Sequence, residues 1–377
     1  MIKKNKVQNY LLLIFFLISF SEIVSFFFIK FFLVNYGIIY DHNVDKNYEN
    51  YLKFRHQILG WDSSQAQDSE KLFDNHGARK DYSSNAELKP CIDVYGDSFT
   101  YGYYKKAEKA WPSLLSGLVN CRVRNFGVGG FGSDQAYIKF KINKNHSNIV
   151  FLNHLSENII RNVNQYRNFI YPSSSYRFKP RYVLKDNKLK LIPLPKISKE
   201  EISDYLLNPH KYLKHEYFIP NGPSGIQYWN FPYTLRVLKS FKHWHIKQKI
   251  KNIDAKYSNF YDENHSSDGL NLTFEIMSDF YKTSKSKGLK PIITVFPTCK
   301  DLMFYEKNNK LPYENLINMF KEKNYNFIDL GVKFINKSKG NFNKYFQECS
   351  GHYNEKGDAL VAQIIFEYLK DNKLLVY

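Results

Sequence analysis

A run of apolar residues near the N-terminus is the feature that most constrains what this chain can fold into. From Leu11 to Val34 only Glu22 and Lys30 carry a charge. About 20 consecutive apolar residues cross the hydrocarbon core of a bilayer as a helix. Lysines at positions 3, 4 and 6 precede the run, and such a flank stays in the cytoplasm by the positive-inside rule. The run therefore predicts a cytoplasmic tail over 1–9 and one transmembrane anchor over 10–36. The rest of the chain would face the periplasm or the cell exterior from the inner (cytoplasmic) membrane.

Two other interpretations of this run are weaker. A cleaved signal peptide requires small residues at its cleavage site, and no alanine precedes Ala66. A buried core helix fits poorly with the lysine flank and the many phenylalanines. Glu22 is costly in lipid and is normally paired or functional there. The sequence leaves open whether it contacts a membrane partner or is neutralised by protonation.

The charge balance limits the classes of molecule that this chain is expected to bind. The chain has 54 Lys and Arg against 36 Asp and Glu, a net charge of +18. Such a field favours nucleic acid, anionic lipid or acidic glycans. The lysines are scattered, however, and no zinc finger or RNA-binding signature occurs, so no nucleic-acid partner is predicted. A polytopic membrane protein is excluded because the mean hydropathy is −0.49 and only one stretch is apolar enough to span a bilayer.

The four cysteines would all face an oxidising space if the chain is exported. Cys91 and Cys121 each open a predicted strand, while Cys299 and Cys349 flank predicted functional loops. Pairing Cys91 with Cys121 and Cys299 with Cys349 is one of three possible connectivities. Four free, buried thiols are the alternative.

After residue 90, short β-rich runs alternate with helical patterns. The predicted strands are Cys91–Tyr95, Cys121–Asn125, Asn148–Leu152, Leu289–Phe296 and Asn326–Leu330. The predicted helices are Ala110–Val119, Ser133–Lys141, Thr273–Lys287 (with Thr273 as N-cap), Tyr313–Lys323 and Glu355–Lys370. This alternation predicts an α/β, three-layer, flavodoxin-like sandwich with a central parallel sheet of about five strands. The predicted domain covers 91–377, after a stalk and lead-in over 37–90.

The alternation is lost over 165–269, which carries Pro-rich turns and a predicted hairpin, Tyr182–Leu191 around Asp186-Asn187. A long insert in a compact α/β domain is typical of a lid or binding element, and a second small domain is the alternative. The aromatic residues of the insert would form either a sugar-stacking platform or the hydrophobic core of the insert itself. They are Tyr217, Phe218, Tyr228, Trp229, Phe231, Tyr233 and Trp244.

Four loops at the predicted carboxyl edge of the sheet, where α/β proteins place their sites, carry candidate residues. Ser98 follows the first strand in YGDSFTYG, and Gly130 follows the second in NFGVGG. Asn158 follows the third strand in LSEN, and His352 precedes the last helix in CSGHYN. Each alone also fits an ordinary structural role, as an N-cap, a tight turn, a turn residue or a surface histidine.

Taken together, Ser98, Gly130, Asn158 and His352 resemble the four residues that name the SGNH/GDSL hydrolase superfamily. The resemblance runs from Cys91 to the end, interrupted by the insert, and the GDSFTYG and NFGVGGFG segments are its most specific parts. These segments, with LGW at 59–61 and GAR at 77–79, look like the membrane-anchored extracytoplasmic branch associated with glycan O-acylation.

The resemblance implies a mechanism. Ser98 would attack an ester carbonyl and His352 would act as general base. The N–H groups of Ser98 and Gly130 and the amide of Asn158 would form the oxyanion hole. The acyl group, most simply acetyl, would pass from Ser98 to water or to a hydroxyl of a cell-surface glycan. The implied partners are that glycan or ester substrate, the membrane, and an acyl-donor membrane protein; no cofactor or metal is expected.

Two departures leave alternatives open. The family places Asp two or three positions before the histidine, where this chain has Ser350 and Cys349. The nearest acid, Glu348, is the tentative third member; a backbone carbonyl, a distant acid or a Ser–His dyad are the alternatives. The Gly of the third block is Ser156 here, and Ile159 replaces the Asp that follows the block's Asn. A non-catalytic glycan-binding or assembly subunit and a lipid esterase at the membrane surface are the alternative functions.

Overall fold

The computed structural model describes residues 2–43, 47–62, 69–103, 106–173, 175–186, 188–349 and 351–375. The helices are α1 Ile2–Phe28, α2 Tyr48–Phe54, α3 Ser69–Leu72, α4 Ser98–Tyr101, α5 Trp111–Val119, α6 Ser133–Ile142, α7 Asn158–Asn162, α8 Ile202–Leu207, α9 Pro209–Tyr212, α10 Tyr233–Ser240, α11 Trp244–Ile250, α12 Gly269–Ser286, α13 Cys299–Asn308, α14 Glu314–Glu322, α15 Leu330–Ser338 and α16 Glu355–Asp371. The strands are β1 Ile39–Tyr40, β2 Pro90–Tyr95, β3 Arg122–Asn125, β4 Ile149–Leu155, β5 Arg181–Lys185, β6 Lys188–Ile192, β7 Gln227–Tyr228, β8 Lys290–Phe296 and β9 Phe327–Asp329.

The chain divides into two compact units. The larger unit comprises 53–165, 179–194 and 253–377, and the smaller unit comprises 1–52, 166–178 and 195–252. The predicted insert is thus split: two of its segments join the N-terminal residues in the smaller unit, and the rest belongs to the larger one.

The larger unit contains the predicted parallel sheet. Its strand order is β3-β2-β4-β8-β9, and every pair is parallel. All seven residues of the central strand β4 are buried, which requires cover on both faces. Helices α5 and α16 pack together, and α6 and α12 form a second packed pair. The α/β sandwich prediction is therefore confirmed.

One helix start was predicted wrongly. The helix expected to begin at Thr273 begins at Gly269, after Asp268 at the N-cap. Leu270 and Leu272 are buried, so the extra first turn adds apolar contact to the core. Thr273 lies inside the helix, where its hydroxyl accepts a hydrogen bond from the Asn162 amide at 2.9 Å instead of capping.

The predicted hairpin and the predicted cysteine pairing are both found. Strands β5 and β6 pair antiparallel in the larger unit, with Tyr182 opposite Leu191; Asn187 of the turn lies outside the described residues. Disulfides join Cys91 to Cys121 and Cys299 to Cys349, with Cα–Cα distances of 5.9 and 5.0 Å. Both distances lie in the ordinary range for a disulfide.

The smaller unit contains α1, which continues through a π-helical turn at Ile29–Leu33. The segment Lys6–Leu33 is long and apolar enough to cross a membrane, and 6% of its most apolar window is buried. The aromatic residues of the insert mostly pack within this unit. Trp229 and Tyr233 contact the Phe26 ring, and Phe218 contacts Trp244.

Candidate active site

The turn after β2 presents Ser98. The carboxylate of Asp97 caps α4 by accepting a hydrogen bond from the Phe99 N–H at 2.9 Å. A side chain at Gly96 would meet the Thr100 hydroxyl at 2.1 Å, so the turn requires glycine there. Ser98 is the first residue of the helix and is 9% exposed. The sequence Gly-Asp-Ser thus places one hydroxyl at the carboxyl edge of the sheet.

The imidazole of His352 contacts the Ser98 hydroxyl. Its Nε2 is 2.8 Å from the Ser98 Oγ. When Nε2 is the unprotonated nitrogen, the Ser98 hydroxyl donates to it, which is the arrangement that activates a serine nucleophile. The imidazole packs against the rings of Phe99 and Tyr103, with centroid distances of 4.7 and 5.7 Å.

The loop that carries His352 is fixed at several points. Its carbonyl accepts a hydrogen bond from the Gln347 N–H at 2.9 Å. The next residue, Tyr353, is buried and donates its hydroxyl to the Pro297 carbonyl at 2.8 Å. The Cys299–Cys349 disulfide joins the loop to the first residue of α13, directly after β8. The imidazole is therefore held by the sheet edge that also holds Ser98.

Asn158 is a buried amide beside the Asp97 carboxylate, and its interaction with that carboxylate opposes the rise in the pKa of Asp97. It is the first residue of α7, just after β4, and its exposure is 0%. Neither its amide nitrogen nor its oxygen has a hydrogen bond of ordinary geometry within the described residues. A buried polar group left in this state costs free energy and calls for an explanation. A substrate oxygen that accepts from the amide would provide one.

Gly130 adopts the left-handed conformation (φ 79°) that favours glycine, in the loop after β3. The lead-in segments support the neighbouring backbone. The Trp61 indole N–H donates to the Gly129 carbonyl at 3.1 Å. Arg79 donates to the carbonyls of Tyr101 and Gly102, at 2.5 and 3.1 Å. The LGW and GAR segments therefore brace the first two site loops.

Arg161, which the sequence analysis missed, joins three of the site loops. Its guanidinium donates to the Asp97 carboxylate at 3.3 Å, to the Phe131 carbonyl at 3.1 Å and to the Glu157 carboxylate at 2.6 Å. Burial raises the pKa of Asp97, whereas Arg161 opposes the rise. The signal was available, because Arg161 lies three residues after Asn158 and a helix brings that spacing to one face.

The comparisons with known proteins find only a distant structural likeness. No protein-family model matches the chain, and no curated protein matches it. The chain is similar to the structure of a G-D-S-L family lipolytic protein from Desulfitobacterium hafniense, with 14% identity and a TM-score of 0.33, over 74% of this chain and 98% of the other. It is also similar to a G-D-S-L lipolytic family member from Veillonella parvula, with 12% identity and a TM-score of 0.37, over 74% and 97%.

Glu348, the tentative third member, is not brought onto the imidazole. Its side chain is exposed and makes no hydrogen bond or ion pair within the described part of the chain. Ser350, two residues before the histidine, lies outside the described residues.

A buried acid, Asp301, occupies the neighbouring loop but serves another purpose. Its carboxylate accepts hydrogen bonds from the Thr298 N–H at 2.7 Å, the Ser156 hydroxyl at 2.5 Å and the Tyr257 hydroxyl at 2.8 Å. Burial raises its pKa to about 6. The network ties the end of β4 to the start of α13. It also gives a structural reason for Ser156 where the family has glycine.

Proposed function

We propose that this chain is a serine ester hydrolase or O-acyltransferase that works through an acyl-Ser98 intermediate. The observation that carries the proposal is the 2.8 Å contact between the Ser98 Oγ and the His352 Nε2. The buried amide of Asn158, which has no hydrogen bond of ordinary geometry within the described residues, supports it, because acyl transfer needs a donor for the developing oxyanion.

The proposed reaction proceeds in two halves. Ser98 attacks the ester carbonyl while His352 accepts the hydroxyl proton, and the N–H groups of Ser98 and Gly130 and the Asn158 amide stabilise the oxyanion. His352 then gives the proton to the leaving alcohol, and the acyl group remains on Ser98. In the second half, water or a sugar hydroxyl attacks the acyl-Ser98 carbonyl. That nucleophile loses its proton to His352, and Ser98 leaves as a free hydroxyl.

The proposed substrate is an acetyl ester of a cell-surface glycan. The sequence blocks that resemble the glycan O-acylation branch support this class, and the +18 charge suits an acidic glycan. The two disulfides and the apolar helix support a location outside the cytoplasm, anchored in the inner membrane.

A second candidate function is a non-catalytic glycan-binding subunit on the same fold. The specific observation in its favour is that Glu348 is exposed and makes no hydrogen bond to His352 within the described residues. Removing the orienting carboxylate from a catalytic triad costs up to about 10⁴ in rate. This candidate predicts glycan binding that survives Ser98→Ala and no covalent labelling of Ser98.

The deciding experiment labels the full-length protein with a fluorophosphonate probe and maps the adduct by peptide mass spectrometry. We expect an adduct on Ser98 in the wild type and none in Ser98→Ala. A folded wild type that stays unlabelled would overturn the enzyme proposal. A series of p-nitrophenyl esters then separates short-chain from long-chain preference, and a long-chain preference would favour a lipid esterase. Acetate release from an O-acetylated glycan tests the glycan substrate.

A further inference from the structure

Helix α10 of the smaller unit is apolar on two opposite faces. On the inner face, Tyr233 and Val237 pack against the cluster Ile29, Leu33, Ile38 and Ile39. On the outer side, Phe231, Leu235 and Leu238 are 67, 41 and 60% exposed. The three-residue spacing of Leu235 and Leu238 places them on one helical face, and Phe231 lies just before the N-cap, Pro232. The remaining positions are polar, Thr234, Arg236, Lys239 and Ser240. A helix with exposed apolar residues on one side and basic residues on another is typical of an element that lies at a membrane surface.

Helix α10 is fixed to α1 through Glu22. The Glu22 carboxylate accepts hydrogen bonds from the backbone N–H groups of Tyr233 and Thr234, at 2.5 and 3.2 Å. Pro232 occupies the N-cap position and offers no side-chain acceptor, so Glu22 caps the helix in its place. The hydroxyls of Ser25 and Thr234 are 3.1 Å apart. The partner of Glu22 is thus the N-terminus of α10 in the same chain.

These contacts set the depth of α10. The apolar run starts at Leu11. A span of about 20 residues, counted from there, ends near Lys30. Glu22 lies eight residues before that point, about 12 Å deeper at 1.5 Å per residue. If α1 crosses the bilayer, the first turn of α10 lies within the outer leaflet, and its outer face has lipid as its neighbour.

The charge around α10 complements lipid headgroups. The stretch 217–253 contains no Asp or Glu. It contains six basic residues, Arg236, Lys239, Lys242, Lys247, Lys249 and Lys251. None of the six forms an ion pair within the described residues, and all five lysines are exposed. Lysine stems run along apolar surface while the ammonium reaches the polar layer, where anionic lipids attract it.

We propose that α10 and α11 form a second membrane-binding element of this chain. The outer face of α10 lies among the acyl chains of the outer leaflet, and the five lysines bind the phosphates of anionic phospholipids. This proposal rests on α1 being a membrane anchor and is independent of the chemistry at Ser98.

The test of depth uses spin labels on the full-length protein in vesicles of phosphatidylcholine and phosphatidylglycerol. Single labels are placed through Leu238→Cys on α10, Phe16→Cys on α1 and Val332→Cys on α15. Val332 is the matched control, since it is an exposed apolar helix residue (44%) of the larger unit. We expect the labels at 238 and 16 to collide with dissolved oxygen in lipid, and the label at 332 to collide with a water-soluble nickel complex.

The other outcomes are distinct. A label at 238 in water, with the label at 16 in lipid, overturns the proposal and leaves the anchor standing. A label at 238 shielded from both reagents and coupled to a second spin assigns this face to another copy of the chain, which also overturns it. A label at 16 in water overturns the anchor and the proposal together.

The headgroup half of the proposal is tested with the five lysines, Lys239, Lys242, Lys247, Lys249 and Lys251, each changed to Gln. The readout is the preference of the protein's lipid shell for spin-labelled phosphatidylglycerol over phosphatidylcholine. We expect this preference to fall several-fold. The matched control changes five exposed lysines of the larger unit, Lys282, Lys310, Lys321, Lys323 and Lys356, and leaves the preference unchanged. Equal preference in wild type and the first variant would overturn the lysine assignment.

Discussion

Asn158 is the residue at which the structure makes the sharpest statement about catalysis. Its amide is buried and has no hydrogen bond of ordinary geometry within the described residues, and we propose that it donates to the oxyanion as that charge develops. We expect Asn158→Ala to lower kcat for acetyl-ester hydrolysis by about 10²–10³-fold. The KM should change little, because the lost interaction is made mainly in the transition state. Steady-state kinetics on p-nitrophenyl acetate provide the measurement; a loss confined to KM would contradict this role.

In contrast to Asn158, Glu348 is expected to contribute little to catalysis. Because its side chain is exposed and makes no hydrogen bond within the described residues, Glu348→Gln is expected to leave kcat within about twofold of wild type. The same kinetic assay measures it. A fall approaching 10⁴-fold, which is roughly the cost of losing a triad carboxylate, would show that Glu348 orients His352 in the working enzyme.

The pKa of Asp301 predicts a pH dependence of stability. Burial raises this pKa from 3.8 in the unfolded chain to about 6. The folded state therefore binds the proton more tightly, so stability is greatest below the unfolded pKa and falls as pH rises through the folded one. Relative to Asp301→Asn, the unfolding free energy of wild type should drop by about 2 kcal/mol between about pH 4 and pH 7. Urea unfolding at each pH measures it, and parallel pH profiles would contradict it.

At the scale of elements, the two disulfides should stabilise the fold by similar amounts but affect catalysis differently. They close loops of 30 and 50 residues, and each should add about 4 kcal/mol to the unfolding free energy by loop entropy. Only Cys299–Cys349 holds the His352 loop. We expect Cys349→Ser to lower kcat about 10²-fold by misplacing the imidazole, whereas Cys121→Ser lowers stability alone. Kinetics and urea unfolding of both variants separate the effects; an equal kcat in the two would contradict the role given to the second disulfide.

The elements themselves were largely predictable from sequence. Short β-rich runs separated by amphipathic stretches gave all five strands of the parallel sheet within a few residues. The helix start at Thr273 was wrong because a threonine near an apolar run looks like a cap. In the folded chain, the helix starts one turn earlier because burial of the leucines before Thr273 stabilises that turn, and the Thr273 hydroxyl binds the Asn162 amide. Helices α13 and α15 were not predicted, although each begins after a residue whose side chain caps its first turn, Thr298 and Asp329.

At the scale of the whole molecule, the contacts of α1 predict a retained anchor. Its Glu22 caps α10, and its Phe26 packs on Trp229 and Tyr233, so a cleaved chain would lose part of the core of the smaller unit. We expect the protein to stay with membranes through an alkaline carbonate wash, and its mature form to yield a peptide that contains Glu22. A mature chain that starts after Val34 would contradict the anchor.

The sequence by itself determined the class of fold, the apolar span, the hairpin and the four residues around which a site was expected. The first three depend on local periodicity and turn chemistry, whereas the four residues come from the resemblance to the SGNH/GDSL motifs; a single sequence carries both kinds of signal. Only the tertiary structure decided that His352 contacts Ser98, that Arg161 joins three loops and that Glu22 caps a helix 211 residues later. Each of these is a contact between residues far apart in the chain. Its geometry depends on how the sheet and helices pack, and no local pattern encodes that.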